Sequence, residues 1–125
     1  MDTNLTTEEQ GQLKNWVTQM WEGERSQVED LIHNCSSPFQ FAKTHSVYLR
    51  DWEKMRAQME GNLKSGVLPP GVSANLFRAV IDGSDEVMQR KLQKVRESFL
   101  VKFGESIYNY LGPDGKTKKL FGIFG

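Results

Sequence analysis

Apolar residues return every three or four positions over most of this chain, the repeat of helices that turn one face inward. In the first third, Leu13, Val17, Met20, Trp21, Val28, Leu31, Ile32 and Cys35 share one broad face. The stripe is interrupted over residues 23–26, where the pattern allows a bend. Thr6-x-x-Glu9 and Thr7-x-x-Gln10 both fit the reciprocal cap that satisfies orphan backbone N–H groups, so a first helix is predicted from there to about Asn34.

A second start follows at Ser37, with Pro38 at a position that needs no N–H and Gln40 placed to complete the cap. Tyr48, Trp52, Met55, Met59 and Leu63 carry that helix to a stop at Ser65 and Gly66. Thr44, His45 and Ser46 offer a point where it can divide, since short hydroxyl side chains compete for backbone hydrogen bonds. The adjacent prolines Pro69 and Pro70 make residues 67–71 a connection. Ser73 then caps a short helix with Leu76, Phe77, Val80 and Ile81 on its apolar face, stopped by Asp82 and Gly83.

Ser84, Asp85 and Glu86 place a hydroxyl and two carboxylates at the positive end of a last long helix. Its stripe is Met88, Leu92, Val95, Phe99, Phe103, Ile107 and Leu111, and turn residues from Gly112 to Gly115 end it. The expected fold is therefore all-α, an antiparallel bundle of three long helices and one short helix over residues 1–115, with a basic and aromatic C-terminal tail over 116–125. An alternative pairs residues 107–111 with 120–124 as a terminal β-hairpin.

Composition supports one folded unit. With 125 residues there is room for one core, and 38% hydrophobic against 26% charged residues separates the chain from disordered sequences. Sixteen basic and sixteen acidic residues cancel, which removes the positive field of a protein that grips nucleic acid mainly by phosphates. The halves differ, with 6 basic and 10 acidic side chains in residues 1–60 and 10 basic and 6 acidic in residues 61–125. Mutual attraction of the halves accounts for this; a basic surface directed at a partner is the competing reading.

The single cysteine, Cys35, permits no intrachain disulfide. The N-terminal residues lack the basic start and apolar run of a signal peptide, and no apolar stretch approaches the ~20 residues that span a bilayer. A cytoplasmic location is the expectation.

Candidate chemistry is sparse. Asp30-x-x-His33 places two ligand types on one helical face, but His45 has no acidic residue within four positions. Glu24 falls near the apolar phase of the first helix, as a ligand, as a buried partner for a cation, or at the stripe's edge reaching water. Cys35 and His33 are two positions apart and point away from each other on a helix, so Cys35 reads as packing. Phosphate-binding loops and nucleophile elbows are missing from the sequence. The expectation is a non-enzymatic protein without metal or cofactor.

Two surfaces remain as candidates for a partner. Leu120, Phe121, Ile123 and Phe124 follow a turn-broken basic stretch and either cover a gap in the bundle or dock on another protein. Arg90, Lys91 and Lys94, with Lys118 and Lys119 in the tail, form a basic set suited to nucleic acid or an acidic partner, though Glu97 interrupts it. Trp16 and Trp21 lie about 140° apart around one helix, so only one can centre the stripe. The sequence thus predicts a helical adaptor, regulator or assembly factor that holds another protein or a second copy of itself, with nucleic-acid association as the alternative.

Overall fold

Three helices account for nearly all of the computed structural model, which describes residues 5–112: α1 (Thr7–Asn34), α2 (Pro38–Lys64) and α3 (Ala74–Phe103). Each begins at a predicted cap. The Thr6 hydroxyl accepts from the Glu9 N–H at 3.1 Å while the Glu9 carboxylate accepts from the Thr6 N–H at 3.0 Å. The Ser37 hydroxyl accepts from the Gln40 N–H at 3.2 Å, and the Ser73 hydroxyl from the Leu76 N–H at 3.1 Å. α2 stops at Ser65 and Gly66, as expected, with Gly66 in the left-handed conformation at φ +74°.

The helix directions follow from which residues meet. Ser73 donates to Glu9 across the start of α1 and α3 at 2.6 Å, Lys91 meets Glu24 midway, and the Lys102 ammonium donates to the Ile32 carbonyl at the far end. α1 and α3 are therefore parallel. Arg56 grips Asp85 in a two-point contact at 2.6 and 2.8 Å, whereas Phe41, near the start of α2, packs on Phe99 near the end of α3. α2 thus runs antiparallel to both, and α3 is the shared element: it packs most extensively on α1, less on α2, while α1 and α2 meet only sparsely.

Two apolar clusters fix this arrangement. Leu5, Leu76, Ala79 and Val80 close the end that holds the α1 and α3 N-termini, with Leu13, Trp16 and Met20 against them. At the other end Val28, Cys35, Phe41, Val95, Phe99, Ile107 and Leu111 close together. Phe99 is fully buried with ring centroids of Phe41, Phe103 and Tyr110 at 5.5, 4.8 and 5.8 Å. Each such buried ring contributes about 1.5–3 kcal/mol by removal from water.

The predicted short helix and last helix are one. α3 continues through Asp82, Gly83 and Ser84 without a stop. Gly83 is there for proximity: a Cβ built on it would lie 2.6 Å from Val17 Cγ2 of α1, so the glycine lets two backbones approach. Ser84 caps nothing and instead donates to the Ile81 carbonyl of its own helix at 2.7 Å. Gly83→Ala is expected to lower stability by about 1 kcal/mol in urea unfolding. The overpacking cost of about 1–3 kcal/mol exceeds the propensity gain of about 1, because a helical Val is stiff at χ1. Combining it with Val17→Ala should give less loss than the two single changes added, and a stabilised single variant would contradict the packing role.

One further boundary differs from the pattern. α3 ends at Phe103 with Gly104 as its left-handed cap at φ +71°, eight residues before Gly112. Ile107 and Leu111 stay in the core, through a 3₁₀ turn (Ile107–Asn109) where the hairpin alternative would need a strand. α1 runs unbroken across residues 23–26 and α2 across 44–46, each the single helix expected; the division allowed at 44–46 is not taken, and Ser46 is buried with its hydroxyl unpaired among the described residues. The tail from 116, the 115/116 boundary and the other half of the proposed hairpin lie outside the described residues.

Candidate functional site

Lys91 stands three positions after Met88 and four before Val95, so α3 turns it to the same inward face. It is only 3% exposed. Its ammonium lies 2.9 Å from the Glu24 carboxylate, donates to the Gln27 side-chain carbonyl and sits 5.8 Å from the centre of the Tyr48 ring. A lysine of α3, two residues of α1 and a tyrosine of α2 thereby join all three helices. His45 of α2 is buried too, and burial first, then the Lys91 charge, push its pKa down to about 4.

Beside this network the sparse contact of α1 with α2 leaves a cleft of about 410 Å³. Ser26, Asp30 and Asn34 recur every fourth residue along its α1 wall, with Gly23 at the same rim, Leu31 and Gln27 deeper on the helix, and Tyr48 across from α2. A second groove, about 320 Å³, lies between the ends of α1 and α3 and is lined by Ile32, Glu97, Ser98, Val101 and Lys102. Val101 is 86% exposed there and its neighbour Leu100 is 55% exposed.

The structure separates the predicted basic set. Lys91 is inside, Lys94 lies 3.4 Å from Glu29, and the Arg90 guanidinium lies 6.0 Å from the centre of the Trp21 ring. All three engage α1, Lys91 and Lys94 through its carboxylates and Arg90 through its Trp21 ring. Glu24, read from sequence as a ligand, a buried cation's partner or an edge residue, is the partner of Lys91. Cys35 is buried and His33 exposed, and among the described residues His, Cys, Asp and Glu nowhere gather in threes. Lys118, Lys119, Leu120, Phe121, Ile123 and Phe124 lie outside the described residues.

The cleft residues were not anticipated as a set. A signal was present: a second row of small and polar residues, at positions 23, 26, 30 and 34, runs beside the apolar stripe of α1. Among the described residues no helix is long and apolar enough to cross a membrane. Comparison with protein-family models, with curated proteins and with solved structures gave no significant match.

Proposed function

We propose that this chain is a non-enzymatic, protein-binding helical module that serves as an adaptor, regulator or assembly factor. The reading is carried by the groove between the ends of α1 and α3, where Val101 stands in water instead of entering the core; Leu100, the next residue of α3, is exposed as well. A groove with an exposed aliphatic side chain in it and a second beside it on the helix is suited to the apolar face of a partner protein or of a second copy. Phosphate binding by the basic face of α3 has less support, since Lys91 and Lys94 are already neutralised by Glu24 and Glu29.

A photo-crosslinking residue at position 101, introduced into the full chain in its native host, tests the reading. A discrete protein adduct or a self-adduct is expected, lost when the adjacent Leu100 is changed to Glu. A yield at position 101 no higher than at the exposed control position 12 would refute it. Repeating the capture without residues 116–125 measures what Leu120, Phe121, Ile123 and Phe124 contribute, with weaker capture expected.

A further inference from the structure

We infer that the cleft between α1 and α2 is a binding site for a guanidinium group carried on an alkyl stem, anchored by Asp30. The inference goes beyond the protein-binding reading and uses a different place, since the cleft shares no lining residue with the groove at Val101.

Charge selects the ligand class. Among the described residues Asp30, itself exposed, is the only charged one lining the cleft, and it forms no ion pair with any of them. Behind it the Glu24 carboxylate is matched by the Lys91 ammonium, so among the described residues the cleft carries one negative charge without an opposite. A cation is the complement.

Shape and hydrogen bonding narrow the class. Ser26, Asp30 and Asn34 rise along about 12 Å of helix, which sets a hydroxyl and an amide on either side of the carboxylate. These three side chains and the Tyr48 hydroxyl make no hydrogen bond to any described residue. An ammonium offers a compact charge with three donors, whereas a guanidinium presents five in a planar fork, able to hold the carboxylate at two points and still reach neighbouring acceptors. Leu31 and the Tyr48 ring give apolar walls for the methylenes of the stem.

Gly23 lies on the rim of the cleft. A glycine inside a helix costs about 1 kcal/mol relative to alanine. Here neither a positive φ nor a close neighbour accounts for it, because a Cβ at Gly23 would meet nothing within 4 Å. Gly11 and Gly61 are open in the same way, so the point at Gly23 is its place: a side chain there would stand on the cleft's rim.

The same chemistry can come from a free guanidino compound or from an arginine of a protein. Titration of the isotopically labelled full chain, followed by backbone amide shifts, uses agmatine for the first and an acetylated, amidated Gly-Arg-Gly peptide for the second. Saturable shifts at residues 23, 26, 30, 34 and 48 are expected with both probes. Tighter binding of the peptide identifies a protein arginine, and tighter binding of agmatine a free compound. Peptides with lysine or uncharged citrulline in place of arginine, and the Asp30→Asn variant, should each bind about tenfold more weakly or worse. Gly23→Leu should block both probes while raising helix propensity, so lost binding there is not lost folding. Unmoved cleft amides, equal binding of the lysine or citrulline peptide, or full binding by Asp30→Asn would overturn the proposal. Leu100→Glu should leave these titrations unchanged, so failure at the groove and failure at the cleft are told apart.

Discussion

Replacing Glu24 by Ala is expected to destabilise the protein by about 3–4 kcal/mol, whereas Lys91→Met should change stability by no more than about 1 kcal/mol. The asymmetry comes from where each charge sits. Lys91 is enclosed, so without Glu24 its ammonium keeps only the Gln27 carbonyl and the face of Tyr48. Glu24 is 27% exposed and sits beside an open cleft, so without Lys91 its carboxylate can turn to water. With one partner already part-exposed, the Glu24 cost falls toward the lower end for a broken buried pair. Methionine keeps most of the lysine stem and its packing. Urea unfolding at neutral pH, followed by helical circular dichroism, measures both, and the double variant should lie close to Lys91→Met alone. Equal losses from the two single changes would show that the pair is solvated and holds the helices together little.

Stability should also fall by about 3 kcal/mol between pH 6.5 and pH 4 through His45 alone. In the unfolded chain His45 takes up a proton near its ordinary pKa of 6.5, but in the fold it stays neutral until about 4. The unfolded state therefore binds more protons throughout that window. The stability is fully present above pH 6.5, declines as the pH falls, and this contribution levels off below 4. Each pKa unit of difference is about 1.4 kcal/mol, which sets the size of the loss. Glu9 and Glu60 are held below their usual values by the Ser73 hydroxyl and the Arg78 guanidinium, so their contributions fade only in the more acidic part of the range. A His45→Gln variant should have a flatter profile from pH 6.5 to 5. Lys91→Met should narrow the loss, because the nearby positive charge is part of what keeps the imidazole neutral. An imidazole titration midpoint above 6 by proton NMR would contradict this account.

Local chemistry was the legible part of the fold. Thr6, Ser37 and Ser73 are caps because a hydroxyl before a helical run has one favourable use there, and the stop at Ser65 and Gly66 follows the same logic. Gly83 was not legible, since a glycine after an aspartate looks alike whether it ends a helix or admits a neighbouring one. Only Val17, 66 positions earlier in the sequence, distinguishes the two. Gly104 shows the converse: the Phe103, Ile107 and Leu111 spacing continues past it, yet the chain turns and delivers Ile107 and Leu111 to the core by another route.

The site was legible in fragments. Glu24 stood out because a carboxylate close to an apolar stripe needs a partner, but the partner was hidden. Lys91 has Arg90 and Lys94 as neighbours, and a cluster of like charges reads as an outward face even though its spacing from Met88 and Val95 turns it inward. The cleft is a property of two helices that both lean on a third, which no single-helix periodicity contains.

Cys35 lies where α1 gives way to α2, sealed beside Phe41 and Phe99. A thiol reagent gains full access to its sulfur only when that junction parts, so alkylation is slower than that of an open thiol in proportion to how little of the time that end stands open. The sequence's single cysteine thereby gauges how often this end stands open, readable by mass alone and needing no engineered label.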